Sequence, residues 1–414
     1  MRAPWWFRRA SGLVLLSALV CGGAIASEAN ERDVQDPLLG YDTGFFARSG
    51  DGLFEIKLNA VIQPRFSFES QERAVSTTPE PGTPVGDPDG LGDETDREHT
   101  YAFAIPRAQL KLGGHAFSES VRYFFQTDFG LGTPMLKDCW IDFGLVDGAL
   151  HLKVGQLKRP FSRQWLTSAA TLELIERSIT HNRFDPGRGL GLMFHNRFLR
   201  SPRFEWALGL FNGHGYVPWF EGDVQVDPDT GQGQVAGGKF TNIPDRFRPT
   251  IVARLGYNHG GIMGYSEADL EGGGPRFAVA ASGLVELDAG DEGDSNVRGE
   301  LDYAFKLRGF SSTGAVYVAG ASSGDFADQA FESIGFHLQA GYVIGGMFQP
   351  AVRYALIDPV GEDDRIHRVL GGLAFYFFGH NLKWQIDGGG RLREDPLVGD
   401  LTDYTIRTQV QLAF

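Results

Sequence analysis

The last eleven residues, Tyr404 to Phe414, constrain the fold more than any other stretch, because their apolar side chains fall on every second position up to the final residue. Tyr404, Ile406, Val410, Leu412 and Phe414 share one face, with Thr408 its only non-apolar member; Thr405, Arg407, Gln409, Gln411 and Ala413 share the other. A period of two is that of a strand, whose successive side chains point to opposite faces. The alternation recurs upstream. Phe54, Ile56, Leu58 and Ile62 oppose Glu55, Lys57, Asn59 and Gln63, and Val297, Leu301, Tyr303 and Phe305 oppose Arg298, Glu300, Asp302 and Lys306.

The amino end reads differently. Arg2, Arg8 and Arg9 precede an apolar run from Leu13 to Val20 and the small residues Ala24-Ile25-Ala26, which predicts a secretory signal over 1–26 cleaved after Ala26. The run is well short of the ~20 residues of a spanning helix, so a membrane anchor is the lesser reading. Residues 18–20 lack the pattern that precedes a lipidated Cys21. Loss of Cys21 with the signal leaves Cys139 alone, so no intrachain disulfide is expected.

Residues 27–52, polar and Gly-rich, are expected to form a periplasmic lead-in, and 53–414 the body of the protein. Strands are predicted near 53–68, 100–116, 120–130, 136–145, 149–157, 188–198, 203–213, 247–258, 275–287, 296–309, 313–322, 331–345, 347–358, 366–378, 381–393 and 404–414. They number about sixteen, an even number as single-chain bacterial barrels require. Short connections (117–119, 146–148, 199–202, 310–312, 346 and 379–380) alternate with long ones (69–98, 160–187, 213–246), as turns and loops do at the two ends of a membrane barrel. Residues 258–274 break that alternation, being too long for a turn. A mean hydropathy of −0.19 fits a wall whose apolar outer and polar inner residues average out. The fold class predicted is therefore all-β, a transmembrane antiparallel barrel. A soluble barrel with core aromatics is the alternative, and a solenoid is disfavoured because no side-chain motif recurs at fixed spacing.

A final apolar-faced strand ending in Phe resembles the signal that the Gram-negative outer-membrane assembly machinery reads on such barrels. That machinery is the expected partner of the Phe414 strand, and the outer membrane the expected location. Phe45-Phe46-Ala47-Arg48-Ser49-Gly50-Asp51-Gly52, then Val154-Gly155-Gln156-Leu157-Lys158-Arg159-Pro160-Phe161-Ser162, then Glu176-Arg177-Ser178 resemble the phosphate-selective porin O and P family. The resemblance runs from about Tyr41 to Phe414 and implies a sixteen-stranded, usually homotrimeric outer-membrane channel among lipid and lipopolysaccharide. Phosphate-specific members carry constriction lysines and a ladder of inward arginines; this chain offers Lys158 with arginines, and Glu173 and Glu176 between them.

In general porins the loop after the fifth strand folds inward and narrows the lumen. Here that loop would present Lys158, Arg159, Arg163, Arg177 and Arg183 against Glu173 and Glu176, and Trp165, Leu166, Ala169, Leu172 and Ile175 recur at helical spacing over 163–177. Strand parity places Lys57, Arg65, Arg107, Lys111, Arg122, Lys153, Arg254, Arg298 and Arg353 inward, opposed by acids such as Asp128, Asp138, Glu205, Glu300 and Asp302. The inferred wall is net basic, although the formal charge is −14 and loss of the three signal arginines takes it to about −17. Fixed positive charge at a constriction lowers the barrier for anions, because field lines concentrate in a narrow low-dielectric opening. Small anions such as phosphate or chloride are the expected solutes, with a non-selective diffusion porin as the alternative.

Nucleic acid is not an expected partner for so acidic a chain. No enzyme activity and no cofactor are expected. Gly320-Ala321-Ser322-Ser323-Gly324 matches G-x-S-x-G without a following helix, which leaves a barrel hydrolase using Ser322 with His337 or His367 as a remote reading. Gly231 to Ala236 does not lie between strand and helix, as a dinucleotide fingerprint would. The ten His residues show no paired-ligand spacing for zinc.

Overall fold

The computed structural model describes residues 38–74, 95–213, 219–221, 224–226, 233–235, 238–241, 247–287, 295–321, 333–359, 364–394 and 399–414. The expected signal and the start of the lead-in lie outside the described residues, as do 322–324 of the G-x-S-x-G match. Antiparallel strands follow in chain order: β1 Glu55–Ala74, β2 Thr95–Ala116, β3 Ser118–Asp128, β4 Met135–Val146, β5 Leu150–Lys158, β6 Arg188–His195, β7 Phe204–Asn212 and β8 Pro249–His259. The second half is β9 Arg276–Glu286, β10 Asn296–Leu307, β11 Phe310–Ala321, β12 Ser333–Tyr342, β13 Phe348–Pro359, β14 Ile366–Phe378, β15 Leu382–Arg393 and β16 Leu401–Ala413. Each strand pairs with its neighbours in sequence, and β16 returns to β1 with Thr405 opposite Glu69 and Arg407 opposite Ser67, so sixteen strands close a barrel. Closure leaves no free edge, the condition hydrocarbon imposes on a sheet. A hairpin of Leu39–Tyr41 and Phe45–Arg48, within the expected lead-in, pairs with β1 just past the end of β16.

The two faces are inverted relative to a water-soluble protein. Leu255, Leu301 and Ile406 point out and are 67%, 66% and 57% exposed, while Arg254, Gln339 and Lys383 point in and are fully buried. Water would penalise such an exterior; a bilayer makes it the stable arrangement. The aromatic pair of Phe348 with Phe375 (5.1 Å) sits towards the strand ends, where girdle residues meet the headgroups, and Phe66 pairs with Phe103 (4.9 Å) below the polar extension of β1 and β2. β1 and β2 run further than their apolar alternation predicts, because polar pairs hold the extension. Arg97 reaches Glu72 at 2.9 Å, and Thr95 donates to the same carboxylate at 2.8 Å.

At the end carrying both chain termini the turns are short. The β10–β11 connection needs only Arg308 and Gly309, both at positive φ (49° and 92°), the geometry a two-residue hairpin demands. Residues 260–275 between β8 and β9 are the exception, as their length leads one to expect. They turn inward, as does the 159–187 segment that follows β5 from the opposite end.

Candidate functional site: the loop-crossed lumen

Arginines and acids of opposite walls string the 159–187 segment across the barrel. Arg159 donates to the carbonyls of Pro186 (2.9 Å) and Asn212 (2.8 Å) and lies 3.3 Å from Glu286. Arg163 pairs with Asp302 on β10 at 2.7 Å and donates to the Gly264 carbonyl at 2.9 Å. Asp302 also receives Arg254 from β8 at 2.7 Å, and Arg254 lies 3.2 Å from Glu205. On the far wall, Asp387 of β15 accepts from the Ile175 amide at 3.0 Å, and Lys383 donates to the Leu172 carbonyl at 2.7 Å. Glu176 receives Arg65 and Arg107 of β1 and β2, each at 2.6 Å. Burial alone would raise the Glu176 carboxyl, but the two guanidiniums hold it at about 2. An apolar cluster that includes Phe161, Trp165, Phe184, Phe211 and Tyr317 packs the loop onto the wall.

The loop's local structure corrects one expectation. Helical spacing over 163–177 gives only a single turn, α1 Arg163–Leu166, and a short 3-10 turn at Ala169–Thr171. The longer helix is α2 Ile179–Phe184, capped by the Ser178 hydroxyl, which accepts from the Thr180 amide. Leu172, Leu174 and Ile175 are buried by extended chain whose amides and carbonyls bond the wall, so tertiary partners replace the helical ones.

The 260–275 turn meets the loop from the other side. The Glu267 amide donates to the Thr171 carbonyl at 3.2 Å, and the Glu173 amide donates to the Glu267 carboxylate at 2.9 Å. Gln339 spans both carboxyls at 2.8 and 2.9 Å, and Gln349 donates to Glu173 at 2.6 Å. Burial, with Glu267 beside it, pushes the Glu173 carboxyl up to about 7. Sequence reading missed this layer, since a turn's inward fold depends on partners distant in the chain.

The space left beside the layer is a cavity of about 420 Å³ between the loop and the β2–β6 wall. Seven cations line it, Arg107, Lys111, Lys137, Lys153, Lys158, Arg177 and Arg188, against Asp128 and Asp138. Like charges gather here around an indole face: the Lys158 ammonium lies 4.6 Å from the Trp165 ring, with the Arg188 and Arg177 guanidiniums at 5.2 and 5.6 Å. Lys158 donates to the carbonyls of Trp165 (2.6 Å) and Leu166 (3.2 Å), and Arg177 to those of Gln164 (2.8 Å) and Thr167 (2.5 Å). These acceptors are neutral carbonyls, which add no opposing charge. Burial, with Arg107 nearby, lowers Arg177 to about 10, which leaves it cationic at neutral pH. A second cavity of about 320 Å³, lined by Arg200, Tyr265 and His380 among others, shares Leu199 with the first and leads towards the terminal end.

Of the five cations expected at the constriction, Lys158 and Arg177 thus line the cavity. Arg159 and Arg163 are ion-paired anchors, and Arg183 bonds Ser333 at the rim. Among the wall residues, Lys111 and Lys153 face the cavity, and Arg107 does so while paired to Glu176. Arg65 pairs with Glu176, Arg254 with Asp302, and Arg298 lies 3.5 Å from Glu286; Arg353 donates to the Glu176 and Arg177 carbonyls. Lys57 meets Thr43 of the hairpin, and Arg122 bonds the Glu119 carbonyl near the terminal end. Arg188 and Lys137 were not singled out by sequence. Arg188 begins β6, where the basic residue at a loop-to-strand junction was the available signal; the register shift between β3 and β4 beside Lys137 left none. His337 is buried in the lumen against Thr180 (3.2 Å) and the Tyr317 ring (5.9 Å).

Residues 80–254 match the model of the family phosphate-selective porin O and P. An uncharacterized protein of Aquifex aeolicus (strain VF5) is 26% identical over 297 residues, which are 68% of this chain and 68% of that protein. Solved structures share the fold at low identity. The outer membrane channel DcaP of Acinetobacter baumannii is 11% identical, over 89% of this chain and 99% of that one, with a TM-score of 0.54. The Salmonella typhi OmpF complex with daunomycin is 11% identical over 91% and 100%, with a TM-score of 0.53. The anion-selective porin from Comamonas acidovorans is 10% identical over 87% and 99%, with a TM-score of 0.52. Family and fold point to a channel rather than an enzyme, and to the Gram-negative outer membrane. Residues 80–254 are thus similar to the phosphate-selective porin O and P family, and the closed sixteen-stranded barrel is the fold of outer-membrane porins.

Proposed function

We propose that the barrel conducts small anions, phosphate and chloride among them, by passive diffusion into the periplasm. The observation that carries this reading is the seven-to-two excess of cationic over acidic side chains around the 420 Å³ cavity. Among the described residues Lys158, Arg177 and Lys111 form no ion pair with a carboxylate; Arg107, Lys153 and Arg188 bring charge shared with Glu176, Asp142 and Asp138. Several weak sites in series replace part of an anion's hydration and still release it, as conduction requires. Arg159, Arg163 and Arg183 act on the pathway by fixing the loop. The working assembly is a homotrimer in lipid and lipopolysaccharide, delivered by recognition of the Phe414 strand.

A non-selective diffusion porin is the second reading. It is favoured by the ion pairing that spends much of the inward basic charge, Arg254 on Asp302, Arg407 on Asp387 and Arg65 on Glu176. The reversal potential of the refolded protein in a planar bilayer under a potassium chloride gradient separates the two. Chloride preference, with the current reduced by added phosphate, supports the anion pathway; no preference or a cation preference replaces it with the second reading.

A further inference from the structure

On the far side of the loop layer, away from the chain termini, another hollow of about 210 Å³ opens in the wall of β1, β14, β15 and β16. Glu69 marks its depth: it lies four residues beyond the Arg65 that grips the loop, roughly 13 Å along β1 at ~3.3 Å per residue. Its charged lining differs from that of the basic cavity, with Glu69 and Asp403 facing Arg368 and Arg391. Arg391 donates to Asp403 at 2.8 Å, so those two satisfy each other. Among the described residues the Glu69 carboxylate and the Arg368 guanidinium have neither a hydrogen bond nor an ion pair. Their strands are three spacings apart, roughly 14 Å at ~4.8 Å each. Between them the register places only short side chains, Thr405 opposite Glu69 and Gly389 opposite Thr405, while Arg368 stands opposite Arg391. Among the described residues, one cation and one anion therefore face the same hollow without a hydrogen bond or ion pair, near enough for the Glu69 charge to act on Arg368 but not bonded to it.

We propose that this hollow is a binding site for small zwitterions, solutes such as an α-amino acid that carry a carboxylate and an ammonium a few ångströms apart. The guanidinium fork of Arg368 takes the carboxylate, and Glu69 takes the ammonium. Because the lining is balanced in charge, a simple anion gains Arg368 but is repelled by Glu69, and a simple cation meets the reverse. A zwitterion gains both. The site rests on the chain being a channel and not on the anion reading, since the basic cavity lies deeper and is lined by other residues.

The test uses the refolded protein in planar bilayers, with glycine, acetate or methylammonium added on the loop side and the reduction of the potassium chloride current recorded. Glycine is expected to block at lower concentration than either single-charge analogue. Glu69→Gln and Arg368→Gln are each expected to weaken glycine block about fivefold, the worth of one exposed charge pair, while Arg368→Lys retains most of it. Conductance and reversal potential without glycine report whether each variant has folded and whether anions are preferred, so loss of the anion reading is visible separately. Absence of glycine block, or block unchanged in both variants, overturns the proposal. So does acetate block that exceeds glycine block and strengthens in Glu69→Gln, which would make the hollow an anion site only.

Discussion

Neutralising Lys158 tests the anion pathway at its most exposed premise, that a cation bonded only to carbonyls still acts as a full charge on the permeating ion. The ammonium is held by Trp165 and Leu166 carbonyls and faces the 420 Å³ cavity. For an ion passing ~5 Å away, the Coulomb energy is about 0.8 kcal/mol at the dielectric of water and about 3 kcal/mol at an effective dielectric near 20. A hydrated cavity lies nearer the first value, and salt with a Debye length of ~10 Å at 0.1 M screens little at this range. About 1 kcal/mol is a factor of about 5. Lys158→Met raises the anion barrier and lowers the cation barrier together, so the chloride-to-potassium permeability ratio should fall about 5- to 25-fold. Lys158→Arg, which keeps the charge, should stay near the parent. Reversal potentials in a tenfold potassium chloride gradient give the ratio directly. A ratio unchanged within about twofold in the Lys158→Met, Arg177→Met double variant, with conductance showing a folded barrel, would refute the reasoning.

Three further outcomes follow from the same geometry. Glu173, held at about 7, and Asp185, which burial likewise raises to about 7, lose their negative charge as pH falls through neutrality. The lumen then becomes more positive, so chloride preference should be greater at pH 5.5 than at pH 8.5; a flat reversal-potential profile contradicts this, and Glu176, at about 2, contributes nothing to it. Glu176→Gln releases Arg65 and Arg107 from their shared partner and should increase chloride preference, opposite in sign to Lys158→Met, in the same reversal-potential assay. Leu255→Arg, on the lipid face, should cost about 2 to 4 kcal/mol of folding stability in vesicles by urea titration, whereas the same substitution in soluble protein surface would be nearly neutral.

Much of the wall was legible in the chain because lipid and water impose opposite demands on alternate residues, and a period of two records them. Ile334, Leu338 and Leu301 lie outward and Arg254, Arg353 and Lys383 inward, as alternation places them. The extension of β1 and β2 was not legible, because Ser70 to Arg73 leave the hydrocarbon and carry no apolar face. The helical spacing of the loop misled for a related reason. Trp165, Leu172 and Ile175 are apolar because the lumen wall covers them, and their spacing fits that wall rather than one helix.

Sequence by itself determined the barrel, its approximate strand number and the inward or outward parity of wall residues such as Arg254, Lys383 and Leu301, since those follow from local alternation repeated against a uniform surrounding medium. Only the tertiary structure decided which charges remain available. Arg163 and Lys158 are five residues apart and equally basic on paper, yet one meets Asp302 from β10 and the other meets two carbonyls of its own loop. The fold likewise brought Glu173 to Glu267 and left Glu69 and Arg368 apart across a hollow. Electrostatic function depends on distances between side chains far apart in the chain, and closure of the sheet is what sets those distances.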